Sequence, residues 1–160
     1  MSPDATWRDQ YERMLRSQVR LRSMASGYGE PYLTADGARD IFYHFCQDAY
    51  HLKDWLKNDP TVDSGDVEKL IDDSLCLKII ADLANGTKHL HLKSTRTGDL
   101  STSVTGQSVR LIRRGDGNLR SFTYATWRVE SNERHYDGHE LAGEVVAKWQ
   151  SWLAGKGLLP

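Results

Sequence analysis

Hydrophobic residues recur at helical spacing in four separate stretches of the chain. The clearest period runs from Ala38 to Leu56, where apolar side chains return every three or four positions. Similar stripes begin near Trp7 and Leu141, and the sequence LCLKIIADLA is apolar almost all round, which indicates a central helix. Prolines and glycines limit these stripes, because both disfavour continuation of a helix. The pattern predicts helices over about residues 5–25, 36–58, 64–86 and 138–154.

A β-hairpin is predicted in the second half of the chain. Two β-prone runs flank the turn sequence GDGN, which predicts a hairpin from about residue 108 to 130. The polar stretch before it, residues 94–108, is expected to be a long loop or a weak edge strand. The order of elements predicts a mainly α fold: a helical bundle of about four helices with a β-hairpin inserted before the last helix. Residues 1–160 fit a single domain.

Composition limits the class of protein. With 39% hydrophobic and 27% charged residues, the chain resembles a soluble globular protein. No apolar run approaches the ~20 residues that span a bilayer, and the start of the sequence lacks the apolar region of a signal peptide, so no membrane contact and a cytoplasmic location are expected. The net charge of −1 excludes a wholly basic nucleic-acid binder but permits a local basic patch. Cys46 and Cys76 lie in apolar helical patterns, which predicts buried free thiols.

Groups that can carry or move protons crowd the end of the central helix, in the sequence DLANGTKHLHLK, residues 82–93. If the helix continued past Asn85, then Lys78, Asp82, Asn85 and His89 would share one face. One interpretation is a structural ion pair between Lys78 and Asp82. The other is that Asp82 or Asn85 orients His89, because an imidazole can exchange a proton near neutral pH.

A second possibility is that the helix ends at Gly86 and HLHLK forms a short strand. Either arrangement leaves Lys88, His89 and His91 as a basic cluster. Such a cluster can bind a phosphate by charge-assisted hydrogen bonds and can also transfer a proton. It is therefore compatible with metal-free cleavage of a phosphodiester.

The run from Asn85 to His89, Asn-Gly-Thr-Lys-His, resembles the core of the HEPN motif (higher eukaryotes and prokaryotes nucleotide-binding). That motif usually has arginine, often followed by asparagine, and then histidine a few residues later; Ala84 stands at the arginine position here. HEPN proteins are commonly small helical, metal-independent RNases that are often dimeric. The resemblance implies a metal-independent endoribonuclease with RNA and a second copy of the chain as partners. The candidate catalytic residues are Asp82, Asn85, Lys88, His89 and His91.

The hairpin is locally basic and carries aromatic residues. In the second strand, Phe122 and Tyr124 alternate with arginines on one face, an arrangement typical of surfaces that bind single-stranded nucleic acid. The alternative, which the usual packing of aromatic strand residues favours, is a hairpin that packs both aromatic faces against the bundle or a second subunit. The candidate nucleic-acid-binding residues are Arg110, Arg113, Arg114, Arg120, Phe122, Tyr124 and Arg128.

The remaining histidines form two further pairs, His44 with His51 and His135 with His139. A metal site would require such pairs to converge, and the sequence has no CxxC or HExxH signature, so no metal is predicted. Without a P-loop or GxGxxG sequence, no cofactor is predicted either. Two functions stay open: an RNA-directed protein that binds or cleaves RNA, and a non-catalytic binding or assembly module for a protein partner or a second copy. A metal-binding bundle is the third.

Overall fold

A computed structural model describes residues 6–30, 33–87, 93–115 and 119–159, and side chains outside residues 112–121. This part of the chain is mainly helical, with a three-stranded antiparallel sheet before the last helix. The helices are α1 (Trp7–Ala25), α2 (Ala35–Lys57), α3 (Ser64–Asp73), α4 (Leu75–Gly86) and α5 (Gly138–Gly155). The strands are β1 (Ser103–Gly115), β2 (Leu119–Ser131) and β3 (Arg134–Asp137).

Short polar side chains fix the starts of most helices. Thr34 accepts a hydrogen bond from the Gly37 amide at α2, and Asp63 does the same for the Asp66 amide at α3. Such caps satisfy backbone N–H groups that have no partner within the helix. The starts predicted near residues 36 and 64 agree with α2 and α3 to within one residue, so both starts are confirmed.

The helix predicted over residues 64–86 has the correct outer bounds, but its predicted continuity is wrong, because the chain breaks at Ser74 into α3 and α4. Ser74 is extended, with φ −117° and ψ 109°, and it both ends α3 and begins α4. Two acids, Asp72 and Asp73, precede it, and negative charge disfavours the C-terminal end of a helix. Serine prefers cap positions to helix interiors. Apolar residues continue at helical spacing on both sides of Ser74, so the sequence pattern did not indicate this break.

The hairpin is confirmed, and the sheet extends beyond it. β1 and β2 pair antiparallel, with Arg110 opposite Tyr124, and β1 already begins within the segment expected to be a loop or weak strand. The strand β3 was not predicted. It follows a tight turn in which Asn132 and Glu133 have φ values of 49° and 60°. Turns of this kind usually contain glycine, so the sequence gives a weak signal there.

One face of the sheet completes the helical core. Ala125, Trp127 and Val129 of β2 are buried against the helices. The Trp127 ring stacks on Phe42 with centroids 5.6 Å apart, and its Nε1 donates a hydrogen bond to the Ala38 carbonyl at 3.0 Å. The predicted burial of Cys46 and Cys76 as free thiols is confirmed. In the ranges described, no helix is long and apolar enough to cross a membrane.

Candidate functional site

The end of α4 is tied to the chain segment that follows it. Asp82 is 1% exposed. Its carboxylate accepts hydrogen bonds from the Arg96 amide at 2.6 Å, the Thr97 amide at 2.9 Å and the Thr97 hydroxyl at 2.6 Å. The predicted ion pair between Lys78 and Asp82 is wrong: neither appears among the ion pairs of the described residues, because Asp82 faces the backbone of residues 96–97. Asp82 therefore anchors this segment on α4.

This anchoring places Arg96 in a group of polar side chains from α2, α3 and α4. We call the group the Tyr50 cluster; it consists of Tyr50, Lys53, Lys57, Glu68, Asp72, Asn85 and Arg96. The Lys53 Nζ donates a hydrogen bond to the Tyr50 hydroxyl at 3.1 Å and lies 4.6 Å from the ring centroid. Arg96 forms ion pairs with Glu68 and Asp72, each at 2.8 Å. The cluster joins three helices to the segment after α4.

The hydroxyl of Tyr50 is surrounded by hydrogen-bond donors. Burial raises its pKa, but hydrogen bonds from Lys53 and Asn85 and the charges of Lys53 and Arg96 lower the pKa by more. These contacts use the oxygen as an acceptor, and no side chain among the described residues is seen to accept the hydroxyl proton. A phenol in this environment can donate its proton to a ligand oxygen.

The cations of the Tyr50 cluster are already paired. Lys57 lies 2.6 Å from Glu68, and Lys53 lies 3.4 Å from Asp54. Together with the two ion pairs of Arg96, these contacts compensate the positive charge locally. The cluster is thus better suited to proton transfer than to holding a phosphate by charge alone.

Glu68 is expected to make the stability of the fold sensitive to acid. A hydrogen bond from Lys57, opposed by burial and assisted by Arg96 and Lys53, lowers its pKa to about 2. Because this pKa lies below the usual 4.5, the ionised carboxylate stabilises the fold above pH 4.5, and the contribution is lost as the pH falls from 4.5 to about 2. Urea unfolding should show Glu68→Gln less stable than wild type at pH 7, with a smaller difference at pH 3.

The control for this measurement is Glu144→Gln, which changes an exposed acid on α5. We expect it to behave like wild type at both pH values. If the free energy of unfolding differed between wild type and Glu68→Gln by the same amount at pH 7 and at pH 3, the assigned role of Glu68 would be contradicted.

The second candidate region is the face of the sheet directed away from the helices. We call it the outer face; it carries Ser108, Arg110, Phe122, Tyr124, Thr126, Arg128, His135 and Asp137. The Arg110 guanidinium carbon lies 5.8 Å from the centroid of the Tyr124 ring. Phe122 packs edge-to-face against Tyr28, with centroids 5.5 Å apart, and Tyr28 is 56% exposed. The aromatic groups of the outer face thus form a row along β2.

Alternation along β2 separates the two faces as the sequence predicted. Trp127 and its inward neighbours are buried, whereas Phe122 and Tyr124 on the opposite side are only half-buried. The helices therefore do not cover this face of the hairpin completely. No carboxylate among the described residues pairs with Arg110 or Arg128, in contrast to the compensated cations of the Tyr50 cluster. Both arginines are exposed.

Several predicted site residues lie outside the described part of the structure. Lys88, His89 and His91 belong to a range that it does not include. For the arginines of the hairpin end only the backbone register is known: Arg113 pairs with Ser121, and Arg114 pairs with Arg120. Asn85 is in the last turn of α4 and interacts with Tyr50.

The other histidines lie apart, on α2 and around β3. His44 is exposed and His51 is half-buried on α2. His135 lies 3.6 Å from Glu130, and His139 bonds the Ala125 carbonyl through Nε2 at 2.9 Å. Within the ranges that the structure covers, no three or more His, Cys, Asp or Glu side chains are grouped so that they could hold a metal ion.

Sequence reasoning missed Tyr50, Lys53 and Arg96. The spacing of Tyr50 and Lys53 puts them on one face of α2, and a lysine within an apolar stripe was an available signal. No pattern in the sequence indicated Arg96, because its position depends on the hydrogen bonds between Asp82 and the segment after α4. Comparison of the chain with protein-family models, curated proteins and solved structures gives no match.

Proposed function

We propose that this chain binds single-stranded RNA on the outer face of its sheet. The observation that carries the proposal is the placement of Phe122 and Tyr124 beside Arg110 and Arg128 on a face turned away from the helices. Aromatic rings on such a face can stack with bases, and arginines can contact the phosphates between them. The proposal needs only a local basic surface, so it agrees with the nearly neutral net charge.

Charge pairing supports the choice of this surface over others. Several exposed cations of the helices are already in ion pairs, such as Arg20 with Glu30 at 2.6 Å. Arg110 instead lies over the ring of Tyr124. In that position its guanidinium group can contact a phosphate and also lie close to a stacked base. The outer face thus combines unpaired positive charge with aromatic surface.

Tyr124→Leu is expected to weaken binding of a single-stranded RNA of about twelve nucleotides by roughly tenfold, because stacking contributes about 1–3 kcal/mol per base. Tyr124→Phe should bind like wild type, since it keeps the ring. Binding would be measured by fluorescence anisotropy, with thermal unfolding as the check on folding. Equal losses in both variants would contradict a stacking role.

Charge-matched variants test the phosphate contacts. Arg128→Ala should weaken binding and reduce its salt dependence, whereas Arg13→Ala, which removes an exposed arginine of α1, should leave both unchanged. Wild-type protein that binds no RNA would contradict the proposal. The same face would then be the place to look for a protein partner or a second copy of the chain.

A second candidate function is metal-independent cleavage of RNA at the end of α4. The observation that favours it is the Tyr50 hydroxyl, which is surrounded by donors and interacts with Asn85 three residues before Lys88. In this proposal His89 acts as the catalytic base or acid, while Lys88 and His91 bind the phosphate.

Within this second proposal, Asn85 would orient the imidazole of His89, and the Tyr50 hydroxyl would be the second group that transfers a proton. Asp82 supports the site indirectly, because both of its carboxylate oxygens hold the backbone of residues 96–97. This role differs from the direct orientation of His89 that the sequence suggested for Asp82.

A further inference from the structure

A concavity of about 520 Å³ lies on the outer face where the three strands run side by side. Its volume is within the roughly 300–1,000 Å³ that small-molecule and cofactor sites occupy. The residues that line it include Ser108, Thr126, Arg128, His135 and Asp137. The concavity adjoins the aromatic row, because Thr126 and Arg128 follow Tyr124 along the same face of β2.

The concavity depends on a glycine and an irregular strand. The register of β1 shifts between Val104 and Gly106, and Gly106 then pairs with Arg128. A β-bulge of this kind bends the strand and changes the direction of neighbouring side chains. Gly106 has no side chain to fill the space, and a Cβ placed there would lie 3.6 Å from the Arg128 Cβ, an ordinary contact. A larger residue could therefore occupy the concavity without a clash in the backbone.

Asp137 brings an acceptor into this otherwise basic surface. It pairs with Arg128 in the strand register, but no ion pair joins the two side chains. Its Oδ1 caps α5 by accepting the His139 amide at 2.8 Å and the Glu140 amide at 3.0 Å. Its Oδ2 has no hydrogen-bond partner among the described residues.

A carboxylate oxygen at this position repels phosphate but suits a hydroxyl donor. In a nucleic-acid chain, the 2′-hydroxyl of ribose is such a donor, and it is the group that distinguishes RNA from DNA. Arg128, directly beside Asp137 on the next strand, offers the positive charge that the adjoining phosphate requires.

We infer that the concavity at Gly106 binds one ribonucleotide of the RNA strand, with its phosphate at Arg128 and its 2′-hydroxyl donating a hydrogen bond to Asp137 Oδ2. This inference rests on the proposed RNA binding of the outer face and adds to it a preference for ribose over deoxyribose. Tyr124 and Phe122 supply stacking for neighbouring bases, and stacking does not distinguish the two sugars.

Asp137→Asn tests the inference without removing the helix cap. Asparagine caps helices about as well as aspartate, so Oδ1 can still accept the two amides, while the second oxygen becomes an NH₂ donor. The probes are RNA and DNA oligonucleotides of one sequence built from adenine and cytosine only, so that the sugar is the only difference. Wild type should prefer RNA, and in Asp137→Asn this preference should fall roughly tenfold, because the hydrogen bond from the 2′-hydroxyl is lost in RNA while removal of the negative charge acts equally on both oligonucleotides.

Gly106→Val provides a second, steric test. The added side chain is compatible with a strand and should fill the concavity, so binding of both oligonucleotides should weaken while the unfolding temperature stays close to wild type. Gly143→Ala, at an open position on α5 where the added Cβ has only the nearby backbone of its own helix within 4 Å, is the control and should bind normally.

The outcomes separate this inference from the proposal beneath it. RNA binding that depends on Tyr124 but shows the same RNA-to-DNA ratio in wild type and Asp137→Asn would overturn the ribose site and leave the RNA-binding face intact. Wild type that binds neither oligonucleotide would overturn both. A loss of RNA preference in Asp137→Asn, together with weaker binding in Gly106→Val, would establish the ribonucleotide site.

Discussion

Asp82→Ala is expected to destabilise the fold by about 3–5 kcal/mol. The carboxylate is buried and accepts three hydrogen bonds, two of them from backbone amides of Arg96 and Thr97. Truncation leaves these amides without their partner, and an unsatisfied buried donor costs more than the net contribution of one hydrogen bond. The loss should also release Arg96 from its position in the Tyr50 cluster.

Urea unfolding followed by circular dichroism would measure this loss. Asp82→Asn should be intermediate, because one carbonyl oxygen remains to accept a hydrogen bond. Asp40→Ala removes an exposed acid of α2 and should change the free energy of unfolding by no more than about 0.5 kcal/mol. A loss for Asp82→Ala as small as that for Asp40→Ala would contradict the anchoring role.

The parts of the fold that follow local periodicity were predictable from the sequence. The apolar stripe of α2 gave its bounds to within a residue or two, and the alternation along β2 gave the correct faces for Trp127 and Tyr124. Both patterns depend only on the geometry of a single element. The break at Ser74 was missed because the apolar stripe continues across it. Such a stripe indicates which positions are buried, but not where one helix ends and the next begins.

The two candidate sites also differ in how far local sequence patterns predict them. The outer face depends on the alternation within one hairpin, so its aromatic residues and Arg110 could be predicted together. The Tyr50 cluster requires α2, α3, α4 and the segment after α4 to meet, and that meeting is set by the hydrogen bonds of Asp82. Single-sequence patterns do not specify such long-range contacts, and the concavity at Gly106 likewise depends on a bulge and on the unpredicted strand β3.

The second candidate function predicts that the protein cleaves RNA in the presence of EDTA and that His89→Ala loses this activity. Metal-free cleavage needs one group to take the proton of the 2′-hydroxyl and another to protonate the leaving oxygen. Tyr50→Phe, which removes only a hydroxyl, should lower the rate roughly 100-fold or more, because positioned proton transfer contributes about 10²–10⁴ in rate.

Tyr43→Phe is the control for this experiment, because Tyr43 lies two turns earlier on α2 and is a half-buried tyrosine, while Tyr50 is buried. Burial raises the pKa of Tyr43, whereas the donors around Tyr50 lower its pKa, so the cleavage proposal assigns proton transfer to the Tyr50 hydroxyl and not to that of Tyr43. Cleavage followed on gels should be retained in Tyr43→Phe and lost in His89→Ala. If the wild-type protein leaves RNA intact while still binding it through Tyr124, the Tyr50 cluster is a structural network that joins three helices, and the chain acts by binding alone.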